Sequence, residues 1–194
     1  LTVLGSEQYG FKLHYLLNPG MAFGLEIGGE WGKIALSLFR VVAVIVIARY
    51  LLKFIKDEYP SGFIVCCAMV FAGALGNIID SAFYGLLFSE STPNLESQVA
   101  EFMSPEGGYA SFMMGNVVDM LHFPLFHFYW PAWVPKIGGT QFEFFRPVFN
   151  IADSAIFLGL FFIFIFQKRF FPEPPEAAPT QVSLDENEEM TAAV

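Results

Sequence analysis

Apart from Asp153 and Ser154, no residue from Ile151 to Phe166 carries a polar side chain. With its flanks this run is long enough to cross a hydrocarbon core of roughly 30 Å. A carboxylate at the mouth of such a run is expensive to bury and marks function by default. Two further runs, Ile34 to about Ile55 and Ser61 to Ile79, are also apolar on every side, and the second ends at Asp80. The residues are 55% hydrophobic and include 24 Phe. That is more apolar surface than a soluble domain of this length carries. The expected fold class is therefore an all-α membrane protein, a transmembrane helix bundle with spans at about 34–55, 61–79 and 150–166.

Charge orients the spans. The turn between the first two holds Lys53, Lys56, Asp57 and Glu58, with Arg49 just before it, and Lys168 and Arg169 follow the third. Basic residues collect on the cytoplasmic side. Between Asp80 and Pro147 the basic residues are Lys136 and Arg146 alone, so 80–147 faces outward, as does 1–33. With 1–33 outside, the expectation is that an earlier transmembrane helix precedes Leu1, giving four spans in the intact protein and three here. The formal net charge is −9, and Glu173, Glu176, Asp185, Glu186, Glu188 and Glu189 carry most of it. These acids, with many Pro and Ala, mark 172–194 as a disordered cytoplasmic tail beyond a membrane domain of 1–171.

The outward parts have their own pattern. Tyr9 to Leu17 alternates loosely and reads as a strand, and Gln141 to Phe145 is a candidate partner in the same small sheet. Ser89 to Gly108 is a polar insertion with a candidate short helix from Asn94 to Met103. Asp80 then closes an outward-going span, Asp153 opens an inward-going one, and Asp119 lies in the outward segment between them. Two of these carboxyls around a water can hydrolyse a peptide bond, the ionised one taking a proton from water and the protonated one polarising the carbonyl. Asn77 and Asp80 are three apart, as are Asn150 and Asp153, so each Asn can brace a carboxylate or a substrate carbonyl.

Other chemistries find little support. Cys66 and Cys67 are adjacent and read as packing residues. His14, His122 and His127 match no compact ligand motif, so no metal is expected, and no cofactor motif is present. No basic cluster interleaves with aromatics, which argues against nucleic acid. Arg40, inside the first span, reads as a snorkelling or acid-paired cation.

Four blocks occur in one order: Asn18-Pro19-Gly20-Met21-Ala22-Phe23-Gly24, Gly76-Asn77-Ile78-Ile79-Asp80, Val117-Val118-Asp119 and Phe149-Asn150-Ile151-Ala152-Asp153-Ser154. In this the chain resembles bacterial lipoprotein signal peptidase (signal peptidase II). The resemblance implies an aspartic endopeptidase with Asp119 and Asp153 as catalytic pair. It implies that Asn18, Gly20, Asn77, Asp80 and Asn150 bind substrate or support the pair. It also implies a four-helix bundle with a small extracytoplasmic β-sheet cradle. The enzyme would be a monomer of the bacterial plasma (inner) membrane, multi-pass, its site at the periplasmic, outer-leaflet side among lipids. Its substrates would be diacylglyceryl-modified prolipoproteins, cut before the lipidated Cys. In the family an Arg often follows the second block's aspartate, where this chain has Ser81, so Arg146 or Arg40 is a candidate partner for Asp80. The alternatives are a small proton-coupled transporter, whose acids would be spread over several depths, and a non-catalytic lipoprotein-binding protein.

Overall fold

The computed structural model describes residues 2–5, 10–19, 29–91 and 99–172. Strands β1 (Thr2–Gly5) and β2 (Gly10–Asn18) are followed by helices α1 (Gly29–Lys56) and α2 (Ser61–Leu87). Four strands follow: β3 (Val117–His122), β4 (Phe126–Tyr129), β5 (Gln141–Phe144) and β6 (Val148–Phe149). Helix α3 (Ile151–Ile165) and the short α4 (Gln167–Phe170) complete the fold. The helices α1 and α2, of 28 and 27 residues, are each long and apolar enough to cross a membrane. Helix α3 is equally apolar but has 15 residues, about 22 Å at 1.5 Å per residue. Gly20 and the acidic tail from 173 onward lie outside the described residues.

Glu58 in a left-handed conformation and the following Pro60 end α1 and turn the chain into α2. An aromatic cluster closes this end of the bundle. Phe63 meets Phe54 and Phe171 at ring-centroid distances of 5.0 Å, and Phe54 meets Tyr59 at 4.9 Å. On α3 the phenylalanines turn outward, with Phe157 65% and Phe164 75% exposed, as expected of side chains whose solvent is lipid.

Small residues let α2 approach α3 closely. A Cβ on Gly73 would fall on the Ala152 carbonyl oxygen and lie 2.7 Å from Ile156 Cγ1. A Cβ on Gly76 would meet only the Ala152 methyl, at 3.3 Å. Gly73→Val is therefore expected to destabilise the bundle by about 1–3 kcal/mol, the usual cost of overpacking, because the obstacle is backbone. Gly76→Ala should cost less. Thermal unfolding in detergent orders the two, and equal midpoints would show that the α2–α3 contact is looser than this geometry.

The sheet order is β1-β2-β3-β6, all antiparallel, while β4 and β5 form a separate hairpin. Here two expectations need correction. Gln141 to Phe145 pairs with β4 rather than with β2, because the chain doubles back locally and stacks Phe126 on Phe144 at 4.8 Å. Of the candidate helix in the insertion, 99–103 is not helical. Phe102 bridges Phe88, and the Ser89 and Met103 N–H groups bond to Glu101 and Leu87 carbonyls. Residues 94–98 lie outside the described residues. The stretch that follows the insertion bonds to carbonyls of the last two turns of α2, with Ala110 N–H on Gly85 O and Gly115 N–H on Ser81 O, each 2.9 Å.

His122, at the end of β3, is buried, and among the described residues neither ring nitrogen has a hydrogen-bond partner. Its Nε2 lies 3.5 Å from Glu143 Oε1 on β5, and its ring is edge-on to His14 at 5.9 Å. Burial holds the imidazole below its ordinary value, Glu143 pulls the other way, and His14 and Lys12 reinforce the lowering.

Candidate active site

Pairing decides what meets Asp119. On β2 and β3, Leu16 lies opposite Asp119 and Asn18 opposite Val117. Side chains alternate along a strand, so Asn18 and Asp119 share a face as diagonal neighbours. Asn18 Nδ2 donates to Asp119 Oδ2 at 2.9 Å. On the other edge of β3, Leu121 lies opposite Phe149 and His122 opposite Val148. Continuing that antiparallel register carries the chain after Phe149 back along β3 toward Asp119. The next residue is Asn150, and its Nδ2 donates to Asp119 Oδ1 at 2.9 Å.

Asn150 is also the N-cap of α3. Its Oδ1 accepts the Asp153 N–H at 2.8 Å, and its own N–H points to Asp153 Oδ2 at 3.4 Å, so the two residues form a capping box. Asp153 thus sits in the first turn of α3, where the helix dipole favours an anion. Asn77, from α2, donates to Asp153 Oδ1 at 2.8 Å and accepts from Asn150 Nδ2 at 3.1 Å. Asn18, Asn77, Asp119, Asn150 and Asp153 therefore form one continuous network drawn from β2, β3, α2 and α3. Asn150 touches both acids.

Asp119 is only 2% exposed. Burial pushes its carboxyl above the usual carboxylate range. The Asn18 hydrogen bond pulls it down, the Asp153 charge pushes it up, and Asn150 and the Arg40 charge pull it down again. Beside the network lies a cavity of about 450 Å³, walled by Gly76, Asp80, Tyr84, Leu17, Val118, Met120 and Asn150 among others. Asp80 and Asn150 face it, while Asp119 stands behind that wall.

Asp80 departs from its expected place. It does not close α2, which runs on through seven residues, Ser81 to Leu87, whose small and apolar side chains continue the helix. It does not pair with Asn77, which reaches across to α3. Its partner is the Tyr84 side chain one turn on, an acceptor–donor spacing that α-helices favour. Neither Arg146 nor Arg40 holds that position. Arg40 Nη1 lies instead 3.5 Å from Ser81 Oγ. Lys33 and Asn116, joined at 2.9 Å from Nζ to Oδ1, were not singled out in the sequence. The signal that could have found Lys33 is its place seven residues before Arg40 on one helical face. Among the described residues no cluster of His, Cys, Asp or Glu is arranged to hold a metal ion.

The family model described as signal peptidase (SPase) II matches residues 3–169. This chain belongs to the signal peptidase II family. A lipoprotein signal peptidase of Porphyromonas gingivalis is 45% identical over 156 residues, covering 80% of this chain and 66% of that protein. One from Amoebophilus asiaticus is 34% identical over 165 residues, covering 84% of this chain and 64% of that protein. The chain thus spans a little under two thirds of the length of each. A solved structure described as a bacterial membrane enzyme determined by the in meso method at 2.3 Å resolution shares the fold, with TM-score 0.50 and 22% identity, over 90% of this chain and 76% of that one. As a signal peptidase II family member with two long apolar helices, the chain is an integral membrane protein with a small antiparallel sheet.

Proposed function

We propose that the chain is an aspartic endopeptidase of the bacterial plasma membrane that removes signal peptides from diacylglyceryl-modified prolipoproteins, cutting before the lipidated cysteine. The observation that carries this reading is the contact of one residue, Asn150, with both Asp119 and Asp153. In the proposed reaction Asp153 takes a proton from water, its Oδ1 held by Asn77 and its Oδ2 facing the Asn150 N–H. Asp119, pushed up by burial, keeps its proton and polarises the scissile carbonyl. The attacking oxygen adds to the carbonyl carbon, and the tetrahedral intermediate then expels the amine of the lipidated residue, which takes up the proton that Asp153 removed from water. Asp80, Asn77 and Asn18 hold the pair and the substrate backbone, and Gly20 follows Asn18 in the same block.

Orientation follows from charge. A cytoplasmic position for one end is supported by Lys53 and Lys56 at the end of α1 and Lys168 and Arg169 in α4, since basic residues collect on that side. The sheet and the carboxyl network are at the other end, at the outer leaflet. Substrate enters sideways with its acyl chains still among lipids, which spares the extraction of two chains at about 0.8 kcal/mol per CH₂. The enzyme works as a monomer with the lipid bilayer as its solvent.

The test is the purified chain in vesicles with a prolipoprotein peptide bearing diacylglyceryl-cysteine, products read by mass spectrometry across a pH series. The expected rate profile is a bell. Its alkaline limb lies above the ordinary carboxylate range, because the proton needed on Asp119 is lost only as pH rises through that group's raised value. The same peptide with unmodified cysteine should stay intact. Equal cleavage of both peptides, or of neither at any pH, rules the proposal out.

A further inference from the structure

Lys33, Ser37 and Arg40 follow one another at intervals of four and three along α1, which places them on one helical face. From Ile34 to Ala48 no side chain of that helix other than Ser37 and Arg40 is polar. Their partners lie on the approach to β3 and on α2. Lys33 Nζ donates to Asn116 Oδ1 at 2.9 Å, and Ser37 Oγ donates to Met113 O at 3.1 Å. Arg40 Nη1 lies 3.5 Å from Ser81 Oγ. The first two bonds hold the segment that runs directly into β3, where Asp119 is the third residue. The third falls on a buried serine of α2 next to Asp80. A guanidinium within a membrane-crossing segment is retained only where something pairs with it. Ser81 lies one turn from Asn77 on the same face of α2, and Asn77 donates to Asp153 Oδ1 at 2.8 Å, so the guanidinium is held beside the network, where its charge bears on Asp119 less than burial, Asn18, Asp153 and Asn150 do.

Three acidic groups face this region: Asp119, Asp153 and, from α2, Asp80, which is bonded to the Tyr84 phenol. In a site of low dielectric such acids repel one another, and the proton count of the pair depends on the nearest cation. Too little positive charge leaves both acids protonated and removes the base. A cation held at a fixed place makes one ionisation favourable and leaves the second opposed by the first. We propose that Arg40 is a positioning residue for the carboxyl pair, supplying from α1 the charge that keeps one proton shared between Asp119 and Asp153 and so setting the pH range of cleavage. Ser81 anchors the guanidinium, and Lys33 and Ser37 fix the approach to β3 against the same helix face. This inference rests on the peptidase reading.

Two measurements on the full chain in vesicles keep the inference and that reading separable. One is the pH–rate profile with the lipidated peptide. The other is the infrared titration of the protonated-carboxyl carbonyl band, assigned to Asp119 by its loss in Asp119→Asn. Arg40→Gln is expected to move both limbs of the profile and the infrared midpoint to higher pH by up to about one unit, Arg40 being the smallest of the influences on Asp119. Arg40→Lys, which keeps the charge, should restore most of that shift. Ser81→Ala, which keeps the charge and releases its anchor, should move the midpoint the same way by less. A uniform fall in rate with unmoved midpoints would assign Arg40 a structural role and overturn the inference, as would midpoints unchanged in both Arg40→Gln and Ser81→Ala. Should even the unaltered chain cleave nothing, the peptidase reading fails, and the infrared midpoint still decides whether Arg40 governs the pair.

Discussion

Asp119→Asn and Asp153→Asn are each expected to lower cleavage of the lipidated peptide by roughly 10²–10⁴-fold, the usual contribution of one positioned acid or base. The double variant should be no worse than the poorer single one, since the two groups act as a unit. Both single variants should still insert and fold, but for different reasons. Asp153 also receives an N–H on each oxygen, from Asn77 at 2.8 Å and from Asn150 at 3.4 Å, so Asp153→Asn keeps the short bond to Asn77 and gives up only the long capping contact. Asp119 receives an N–H on each oxygen, from Asn18 and from Asn150. An amide offers one oxygen, so Asp119→Asn sets one donor against another and loses about 0.5–1.5 kcal/mol of hydrogen bonding. Against this, the substitution removes a carboxyl that burial has pushed upward. The contribution of such a group to folding is fully present below the ordinary carboxyl value and is lost as pH rises through the raised one. The stability gap between the unaltered chain and Asp119→Asn should therefore be largest in acid and narrow as pH rises. Product analysis and thermal unfolding at acid and alkaline pH check both halves. A variant of either aspartate that cleaves at the unaltered rate removes the pair from the mechanism.

Asn150→Ala is expected to damage stability and cleavage together. The side chain accepts the Asp153 N–H and donates to Asp119 and Asn77. Losing an N-cap costs about 1 kcal/mol, and leaving a buried polar group unpaired costs about 1–3 kcal/mol. The two overlap, since the same groups are involved, so a total of roughly 2–4 kcal/mol is expected. Asn150→Asp separates the roles. It keeps the cap acceptor, so α3 should start where it does now. It replaces the donor to Asp119 with a further carboxylate, so cleavage should fall nearly as far as in Asn150→Ala while stability falls less. Unfolding midpoints beside cleavage rates distinguish the two variants, and an Asn150→Ala chain that matches the original in both would show that the network carries neither function.

Several features were readable before any coordinates because their signals are local. The apolar runs behind α1 and α2 are long and uninterrupted, and each such residue gains from lipid or helix contact without knowing its partner. The strand at Gly10–Asn18 shows as alternation. The four ordered blocks brought Asn18, Asn77, Asp119, Asn150 and Asp153 forward together, and the structure joins these five in one network. The two Asn-x-x-Asp spacings, identical in sequence, were not resolvable. In Asn150–Asp153 the spacing falls at a helix start with unpaired N–H groups, so it becomes a cap. In Asn77–Asp80 it falls inside α2, where the backbone is already paired, so Asn77 turns to α3 and Asp80 to Tyr84.

By itself, then, the order of residues determined that this chain has membrane-length helices, strand-bearing regions outside them and a family of membrane peptidases to which it belongs. Tertiary structure alone decided the partners: Arg40 beside Ser81, Lys33 on Asn116, Tyr84 on Asp80, and β5 on β4 instead of on β2. Apolar burial is a property of single residues summed along a segment, so it can be read from composition and period. A hydrogen bond or an ion pair is a property of two groups and the distance between them, and that distance exists only once β6 has paired with β3 and α2 has closed on α3 at Gly73.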